Sequence, residues 1–180
     1  PCDMEPIMAL AAQNGLKVIE DCAQAHGARY HGRSVGSIGH VGAWSFCQDK
    51  IMTTGGEGGM VTTDDPALSS FMWSYKDHGK RGPAIPERVS TPSPRLVYDR
   101  FGTNWRMIEM QAALGLIQLG RMPTWTVRRT AIASALAEVC RAHDLVRVPE
   151  TPKGIDHAWY RFYAFVHPEL LAEGWSRDRI

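Results

Sequence analysis

A short apolar run that directly follows a helical pattern limits this chain to an α/β arrangement. Residues 3–15 predict a helix, because apolar residues recur at helical spacing between a capping Asp3 and a terminating Gly15. Residues 17–21 then predict a buried strand that is apolar in its middle and acidic at its carboxyl end. Ligands of such folds bind at the carboxyl ends of the strands, so Asp21 is the first candidate binding residue.

One lysine lies between the next two predicted strands, 41–46 and 60–63. Lys50 precedes the glycine-dense turn 55–59, and glycine lets a backbone adopt positive φ or approach a ligand closely. Ser45 belongs to the first of these strands. We therefore expect Lys50 to be held beside the turn, where its amine is available for chemistry.

The later part of the chain predicts mainly helices. They are expected from Pro66 to about Gly79, over residues 107–119, and from Pro123 to about Cys140. Each is indicated by a helix-starting proline or by apolar residues at helical spacing.

The remaining segments predict loops and short strands. Residues 81–100 are rich in proline and predict a long loop. Strands are expected over 145–148 and over 159–166, where bulky and polar residues alternate, and a helix from Glu169. The change in pattern predicts two domains, residues 1–125 and residues 126–180.

Composition excludes several classes of protein. The formal net charge is +1 and the basic residues are scattered, whereas nucleic-acid binding needs a clustered basic face. No apolar run approaches the roughly 20 residues of a membrane span, and no signal peptide opens the chain. The 4 cysteines are widely spaced and form no CxxC pair, which indicates a reduced, cytoplasmic protein.

Metal and nucleotide sites are also not indicated. His26, His31 and His40 share one loop-rich stretch, but their spacing matches neither HExxH nor another common metal motif. The glycines of 55–59 follow a lysine, whereas a phosphate-binding P-loop places its lysine after the glycines. We therefore predict no metal ligands.

Three side chains near predicted strand ends match one cofactor chemistry. Pyridoxal phosphate needs a lysine to form an imine, a carboxylate beside its pyridine nitrogen and donors for its phosphate. Lys50, Asp21 and Ser45 supply these groups. Taken singly, each has a plainer interpretation: a surface lysine, a helix-capping aspartate and a serine that fills the sheet.

Three ordered blocks resemble the DegT/DnrJ/StrS-type sugar aminotransferases. They are residues 18–28, residues 44–61 with the lysine and glycine turn, and residues 102–113. The resemblance implies the aspartate aminotransferase-like fold type I of pyridoxal phosphate enzymes, an α/β fold. Residues 1–125 would be the carboxyl-terminal part of the large cofactor-binding domain, and 126–180 a linking helix and the start of the small α+β domain. We expect the chain to be an internal piece of a longer protein.

The resemblance also implies roles for single residues. Lys50 would hold the cofactor covalently and shuttle a proton, and Asp21 would pair with the pyridinium nitrogen. The other implied roles are contact with the cofactor ring or its phenolic oxygen for Gln24, phosphate binding for Ser45, phosphate binding across a dimer interface for Asn104, and contact with the donor carboxylate for Arg106. Asn104 could instead simply turn the chain before a helix.

The implied reaction moves an amino group from an amino acid, usually glutamate, to a keto-sugar that is most often nucleotide-linked. Such enzymes serve polysaccharide and antibiotic sugar biosynthesis, and the resemblance implies a homodimer with shared active sites. Sugar dehydratases of the family carry histidine at the position of Lys50, which favours transamination here. A cyclitol ketone as acceptor, or a regulatory protein that kept the fold, are the alternatives.

Overall fold

The computed structural model describes residues 1–80 and 98–180. Most of the loop predicted over residues 81–100 lies outside the described residues. In chain order the elements are α1 (Met4–Gln13), β1 (Ile19–Asp21), β2 (Arg29–Tyr30), β3 (Arg33–Ser34), β4 (Val41–Ser45), β5 (Gly59–Thr62), α2 (Pro66–Lys76), α3 (Glu109–Arg141), β6 (Val146–Arg147), β7 (Ile155–Asp156) and β8 (Phe165–Val166), with 3-10 turns at Pro168–Leu170 and Arg177–Arg179.

The sheet that carries the candidate site has the order β1-β4-β5. β1 and β4 are parallel, with Asp21 opposite Ala43, and β5 returns antiparallel to β4. The three strands agree with the predicted ones within a few residues, because each is a short apolar run between turn-forming residues. The sheet is mixed, as the predicted α/β fold requires.

Glu20 ties the loop before β4 to β1. Its two carboxylate oxygens accept hydrogen bonds from the backbone amides of Gly36, Ile38 and Gly39 at 2.6–2.8 Å. A charged acceptor with three backbone donors is strongly held. The loop therefore leads the chain from the small strands into β4 in one fixed register.

Asp3 precedes α1, as predicted, but its side chain does not cap the helix. The Asp3 carboxylate instead accepts a hydrogen bond of 2.6 Å from the Tyr30 hydroxyl. The position of the helix start was therefore predicted correctly, but the prediction that the Asp3 carboxylate caps the helix was wrong. The cause is a contact with a residue far along the chain, which local capping patterns do not encode.

The two helices predicted on either side of Pro123 are one continuous helix, α3. Proline inside a helix costs a hydrogen bond and about 3 kcal/mol, so a break was the reasonable expectation. Packing offsets that cost, since Met122 is buried and Trp125 packs against the same core with Phe46 and Met52. Tertiary contacts on both sides of the proline keep the helix intact.

The last third of the chain returns to the first. β7 pairs antiparallel with β2, and Ala158 is buried in a core cluster with Cys22, Ala28 and Val35. β6 and β8 form a separate two-stranded sheet. The division into domains at residue 125 stays a prediction.

The strand predicted over 159–166 is reduced to β8, and Trp159 at its predicted start has a left-handed backbone (φ 52°) that a strand does not contain. The helix predicted from Glu169 is only the 3-10 turn Pro168–Leu170. In the described ranges, no helix is long and apolar enough to cross a membrane.

Candidate active site

The carboxyl ends of β1 and β4 place a carboxylate and a hydroxyl on the same edge of the sheet. Asp21 ends β1, and its exposed carboxylate accepts a hydrogen bond of 3.0 Å from the Ala23 amide. Ser45 ends β4, and its hydroxyl oxygen accepts from the Cys47 amide at 3.3 Å. Because the strands are parallel neighbours, this edge is where the fold is expected to bind a ligand.

Gln24 lies exposed in the turn that follows Asp21. The turn is closed by hydrogen bonds from the Ala25 amide to the Cys22 carbonyl, 3.0 Å, and from the Ala28 amide to the Ala25 carbonyl, 2.9 Å. The buried Cys22 and Ala28 anchor both ends of the turn in the core. Gln24 is thereby held in an ordered turn three residues after Asp21.

Lys50 follows β4 by five residues and is largely buried, with 15% of its side chain exposed. Its Nζ atom lies 3.7 Å from Asp49 Oδ1 and 5.2 Å from the centroid of the Tyr160 ring. The Lys50 amide donates to the Cys47 carbonyl at 3.1 Å, which closes the turn after the strand. The amine is thus held in a defined place.

The glycine turn locks the Lys50 segment against β4. The Phe46 amide donates to the Gly58 carbonyl at 2.8 Å, and the Thr53 hydroxyl donates to the Phe46 carbonyl at 3.0 Å. Gly55 has φ of 83°, and a Cβ atom on Gly58 would lie 2.2 Å from the Thr54 hydroxyl oxygen. Glycine is required at both positions, by backbone conformation at one and by space at the other.

α3 holds the glycine turn from the other side. Gln111 donates from Nε2 to the Glu57 carbonyl at 2.6 Å, and Gln118 accepts from the Thr53 amide at 2.9 Å. Gly115 lies between them on the helix and is buried against Thr54. The spacing of these residues places them on one helix face, so the helix and the lysine turn form one unit.

His26 lies next to this unit and is buried between aromatic rings. Its ring centroid is 5.3 Å from that of Trp44 and 5.9 Å from that of Phe46. Burial lowers the pKa of His26 and the positive charge of Lys50 acts the same way, against an opposing effect of the Ser45 backbone. His26 is therefore a neutral packing residue at the base of the site.

Asn104 and Arg106 form a different cluster around Asp77. Arg106 donates from Nη1 to Asp77 Oδ1 at 3.0 Å and from Nε to Asn104 Oδ1 at 3.1 Å. Lys80 Nζ lies 3.2 Å from the same carboxylate. In the part of the chain that the structure describes, no hydrogen bond or ion pair joins Asn104 or Arg106 to Lys50. Their predicted roles stay predictions.

Asp77 is nearly buried, with 7% of the residue exposed. Burial by itself would raise the pKa of Asp77, but the Lys80 hydrogen bond and the charges of Arg106, Lys80 and Lys76 outweigh it. The pKa of this carboxyl therefore lies below its ordinary value, and the group is a stable anion at neutral pH.

The groups at the Lys50 edge fit pyridoxal phosphate by their chemistry. The exposed Asp21 carboxylate can pair with a pyridinium nitrogen. Among the described residues the Ser45 hydroxyl oxygen accepts one hydrogen bond, from the Cys47 amide, so its own proton can be donated to a ligand. Lys50 supplies the primary amine, and its Asp49 neighbour is at ion-pair distance rather than in a tight hydrogen bond. Each group keeps free capacity for a ligand.

Comparison with known proteins agrees with this chemistry. The model of the DegT/DnrJ/EryC1/StrS aminotransferase family matches residues 1–178. The chain belongs to this family. An aminotransferase from Psychrobacter cryohalolentis has a solved structure that superposes with a TM-score of 0.93 and 58% identity, over 99% of this chain and 47% of that one. The fold type I expected from the sequence is thereby confirmed.

Two curated relatives act on nucleotide-linked sugars, as their names state. dTDP-3-amino-3,4,6-trideoxy-α-D-glucose transaminase of Streptomyces venezuelae is 35% identical over 162 residues, which are 90% of this chain and 40% of that protein. UDP-N-acetyl-3-dehydro-α-D-glucosamine 3-aminotransferase of Acidithiobacillus ferrooxidans is 36% identical with the same coverage. The chain thus spans about 40% of the length of the curated relatives it matches. The cofactor of the family is pyridoxal 5'-phosphate, which confirms the predicted cofactor.

Sequence reasoning missed the contact that Tyr160 makes with the lysine segment. The Tyr160 hydroxyl donates to Asp49 Oδ2 at 2.7 Å, across 111 positions of the sequence. Asp49 adjoins Lys50 and could have been singled out by position, but no local pattern marks Tyr160. Only the folded chain brings the two together.

Proposed function

We propose that the protein carrying this sequence is a pyridoxal phosphate-dependent aminotransferase that acts on a nucleotide-linked keto-sugar. The observation that carries the proposal is that Asp21 and Ser45 end the parallel neighbours β1 and β4, while Lys50 lies in the turn five residues after Ser45. Family membership over residues 1–178 supports the same activity. Polysaccharide or antibiotic sugar biosynthesis is the setting that the names of two relatives favour, one from spore coat polysaccharide biosynthesis and one from erythromycin biosynthesis.

Each residue of the edge has a distinct task. Lys50 would hold the cofactor covalently and, as a free amine, would carry the proton that the reaction moves. Asp21 would pair with the pyridine nitrogen of the cofactor, and Ser45 would donate to the phosphate. Gln24 lies beside Asp21 in sequence and contacts the ring or its phenolic oxygen. The bound cofactor supplies the electron sink that makes the proton transfer possible.

Glutamate is the proposed amino donor and a keto-sugar linked to a nucleoside diphosphate the proposed acceptor. Arg106 would bind the donor carboxylate with the part of its guanidinium that Asp77 leaves free, since 45% of its side chain is exposed. Asn104 would donate its amide protons to the phosphate in a partner subunit, because its oxygen already accepts from Arg106. The protein would then be a homodimer with shared sites.

A half-reaction tests this function. The full-length protein is reconstituted with the cofactor and mixed with glutamate, and loss of the visible absorbance of the bound cofactor is recorded. Keto-sugars linked to dTDP, UDP and GDP, and an inosose, are then offered and the aminated product is identified by mass spectrometry. If the inosose is the one acceptor that is aminated, the acceptor is a cyclitol ketone and not a nucleotide-linked sugar. Cofactor binding without any response to amino donors would contradict the proposal and favour a regulatory protein.

A further inference from the structure

The segment that carries Tyr160 is fixed in place by four independent contacts. Ala158 is buried beside Cys22, β7 pairs with β2, and the Tyr160 carbonyl accepts from Arg129 Nη2 at 3.3 Å. The Trp159 amide donates to His157 Nδ1 at 2.9 Å, which closes a tight turn. The backbone at Tyr160 is therefore held by contacts other than those of the Tyr160 side chain.

The backbone at this turn is strained. Trp159 has φ of 52°, a left-handed conformation that is costly for a bulky residue. A glycine at this position would avoid the cost. The bulky Trp159 side chain instead packs against the rings of His157 and Phe162. The left-handed residue reverses the chain directly before Tyr160.

Tyr160 meets the lysine segment in two ways. Its hydroxyl donates to Asp49 Oδ2 at 2.7 Å, and its ring faces Lys50 Nζ with 5.2 Å between the nitrogen and the ring centroid. The other oxygen of the same carboxylate, Asp49 Oδ1, lies 3.7 Å from Lys50 Nζ. The hydrogen bond from Tyr160 is also the main reason why the pKa of Asp49 lies below its ordinary value.

The contacts of Lys50 with Asp49 and with the Tyr160 ring are both weak, as a lysine that must move requires. A distance of 3.7 Å is too long for a hydrogen bond, so Asp49 attracts the ammonium group without binding it tightly. A ring within about 6 Å of a cation adds a second weak attraction. A flexible four-carbon side chain is thereby limited to a small region and its nitrogen stays available to react.

We propose that Tyr160 is a positioning residue for Lys50, which it acts on through the Asp49 carboxylate and through the face of its own ring. The proposal deepens the proposed function and rests on it, since it treats Lys50 as the reacting amine. Tyr160 need not touch substrate or cofactor. It sets where the free amine of Lys50 lies when that amine is not attached to the cofactor.

Acetylation of lysines in the full-length protein, freed of cofactor, tests the proposal without any catalytic readout. Acetic anhydride reacts with amines that it can reach, and Asp49 and the Tyr160 ring hold the Lys50 side chain where only 15% of it is exposed. The measured quantity is the acetylation rate of Lys50 relative to Lys76, determined by peptide mass spectrometry. Lys76 is an internal reference, because its Nζ lies 5.3 Å from the centroid of the Trp73 ring and carries a comparable ring contact.

The variants are Tyr160→Phe, which removes only the hydroxyl, Asp49→Asn, which removes only the charge, and the double variant. Tyr163→Phe is the matched control, since it makes the same change three residues further on. We expect Tyr160→Phe and Asp49→Asn each to raise the Lys50 to Lys76 ratio by roughly threefold or more, because one net hydrogen bond changes an equilibrium about fivefold. The double variant should match Asp49→Asn, and Tyr163→Phe should match the unaltered protein.

Three results would overturn the proposal: a ratio in Tyr160→Phe equal to that in Tyr163→Phe, a change in Tyr160→Phe without one in Asp49→Asn, or fully additive effects in the double variant. General unfolding of a variant would raise the acetylation rates of both lysines together and leave their ratio unchanged. An unchanged ratio also counts against the proposal. In the reconstituted protein, Tyr160→Phe should slow the half-reaction about fivefold at saturating donor with KM unchanged. Absence of any cofactor binding would overturn the proposed function and leave the acetylation result intact.

Discussion

Two regions of the molecule pair a carboxylate with basic side chains, and they differ in what the folded chain leaves free. In the Asp77 cluster, Lys80 and Arg106 both contact a carboxylate that is 7% exposed. At the Lys50 edge, the Asp21 carboxylate is exposed and Lys50 has its carboxylate neighbour at 3.7 Å. In the first region the chain itself pairs the carboxylate, whereas in the second both the carboxylate and the amine retain capacity for a ligand.

This difference distinguishes charged groups that stabilise the fold from charged groups that are available for binding or catalysis. A nearly buried carboxylate needs charged or hydrogen-bonding partners, so folding by itself explains why Lys80 and Arg106 contact Asp77. Groups at the Lys50 edge are not required by folding to be where they are. Their placement at one strand edge is therefore better explained by function.

Adjacent residues show the same contrast most closely. Glu20 accepts hydrogen bonds from three backbone amides, while Asp21 accepts one from the Ala23 amide. Both are carboxylates in β1, one turned into the protein's own loop and the other left at the strand end. The predictions that follow use these pairs, in order of expected effect.

The largest effect is expected for Lys50→Ala. Loss of the amine removes both covalent attachment and the proton carrier, so turnover should fall by about 10³-fold or more. The visible absorbance of the bound cofactor should disappear, as measured by a spectrum of the reconstituted full-length protein. Lys153→Ala, at an exposed residue, is the control and should behave like the unaltered protein. A normal spectrum in Lys50→Ala would end the assignment of this residue.

Asp21→Asn and Glu20→Gln should separate catalysis from stability. Asp21→Asn removes a charge that the chain does not use for folding, so turnover should fall about 10²-fold while the melting temperature changes little. Glu20→Gln weakens the bonds to the loop before β4 and should lower the free energy of unfolding by about 1–3 kcal/mol, with turnover per folded molecule largely kept. Turnover and thermal unfolding of both variants check this. Equal losses of turnover in the two variants would refute the contrast.

Asp77→Asn should change the pH dependence of stability. The folded-state pKa of Asp77 is below its ordinary value, so the stability that it contributes is complete above the unfolded pKa of about 3.9. That contribution is lost as the pH falls through the lower folded-state pKa. Melting temperatures measured from neutral to acid pH should therefore fall less steeply in Asp77→Asn than in the unaltered protein. Asp156→Asn, at an exposed carboxylate, serves as the control, and equal slopes in all three proteins would contradict the expectation.

The smallest effect is expected at Cys22, next to Asp21 but turned into the core. Burial, followed by the charges of Glu20 and Asp21, raises the pKa of Cys22 to about 11, so its thiolate is scarce at neutral pH. Iodoacetamide at neutral pH should alkylate the exposed Cys2 and leave Cys22 unmodified, as read by peptide mass spectrometry. Turnover should not change. Rapid alkylation of Cys22 in the folded protein would show that this side of β1 opens readily.

Much of the strand edge could be predicted because its signals are local. The strands around Asp21 and Ser45 are short apolar runs, and the glycine turn after Lys50 is written in consecutive residues. Pro123 predicted a break between two helices, but the packing of Met122 and Trp125 against the core accompanies one continuous helix, α3. The proline rule describes a local cost, which packing energy can exceed.

The sequence by itself determined which side chains stand at strand ends and where glycine allows the chain to turn, because φ/ψ sterics and side-chain period act between near neighbours. Only the tertiary structure decided three sets of hydrogen bonds. Gln111 and Gln118 bind the backbone around the glycine turn. Arg106 donates to Asp77, and Tyr160 donates to Asp49. Those contacts join residues far apart in the chain. They depend on how the helices and strands pack, and no local pattern of residues carries that information.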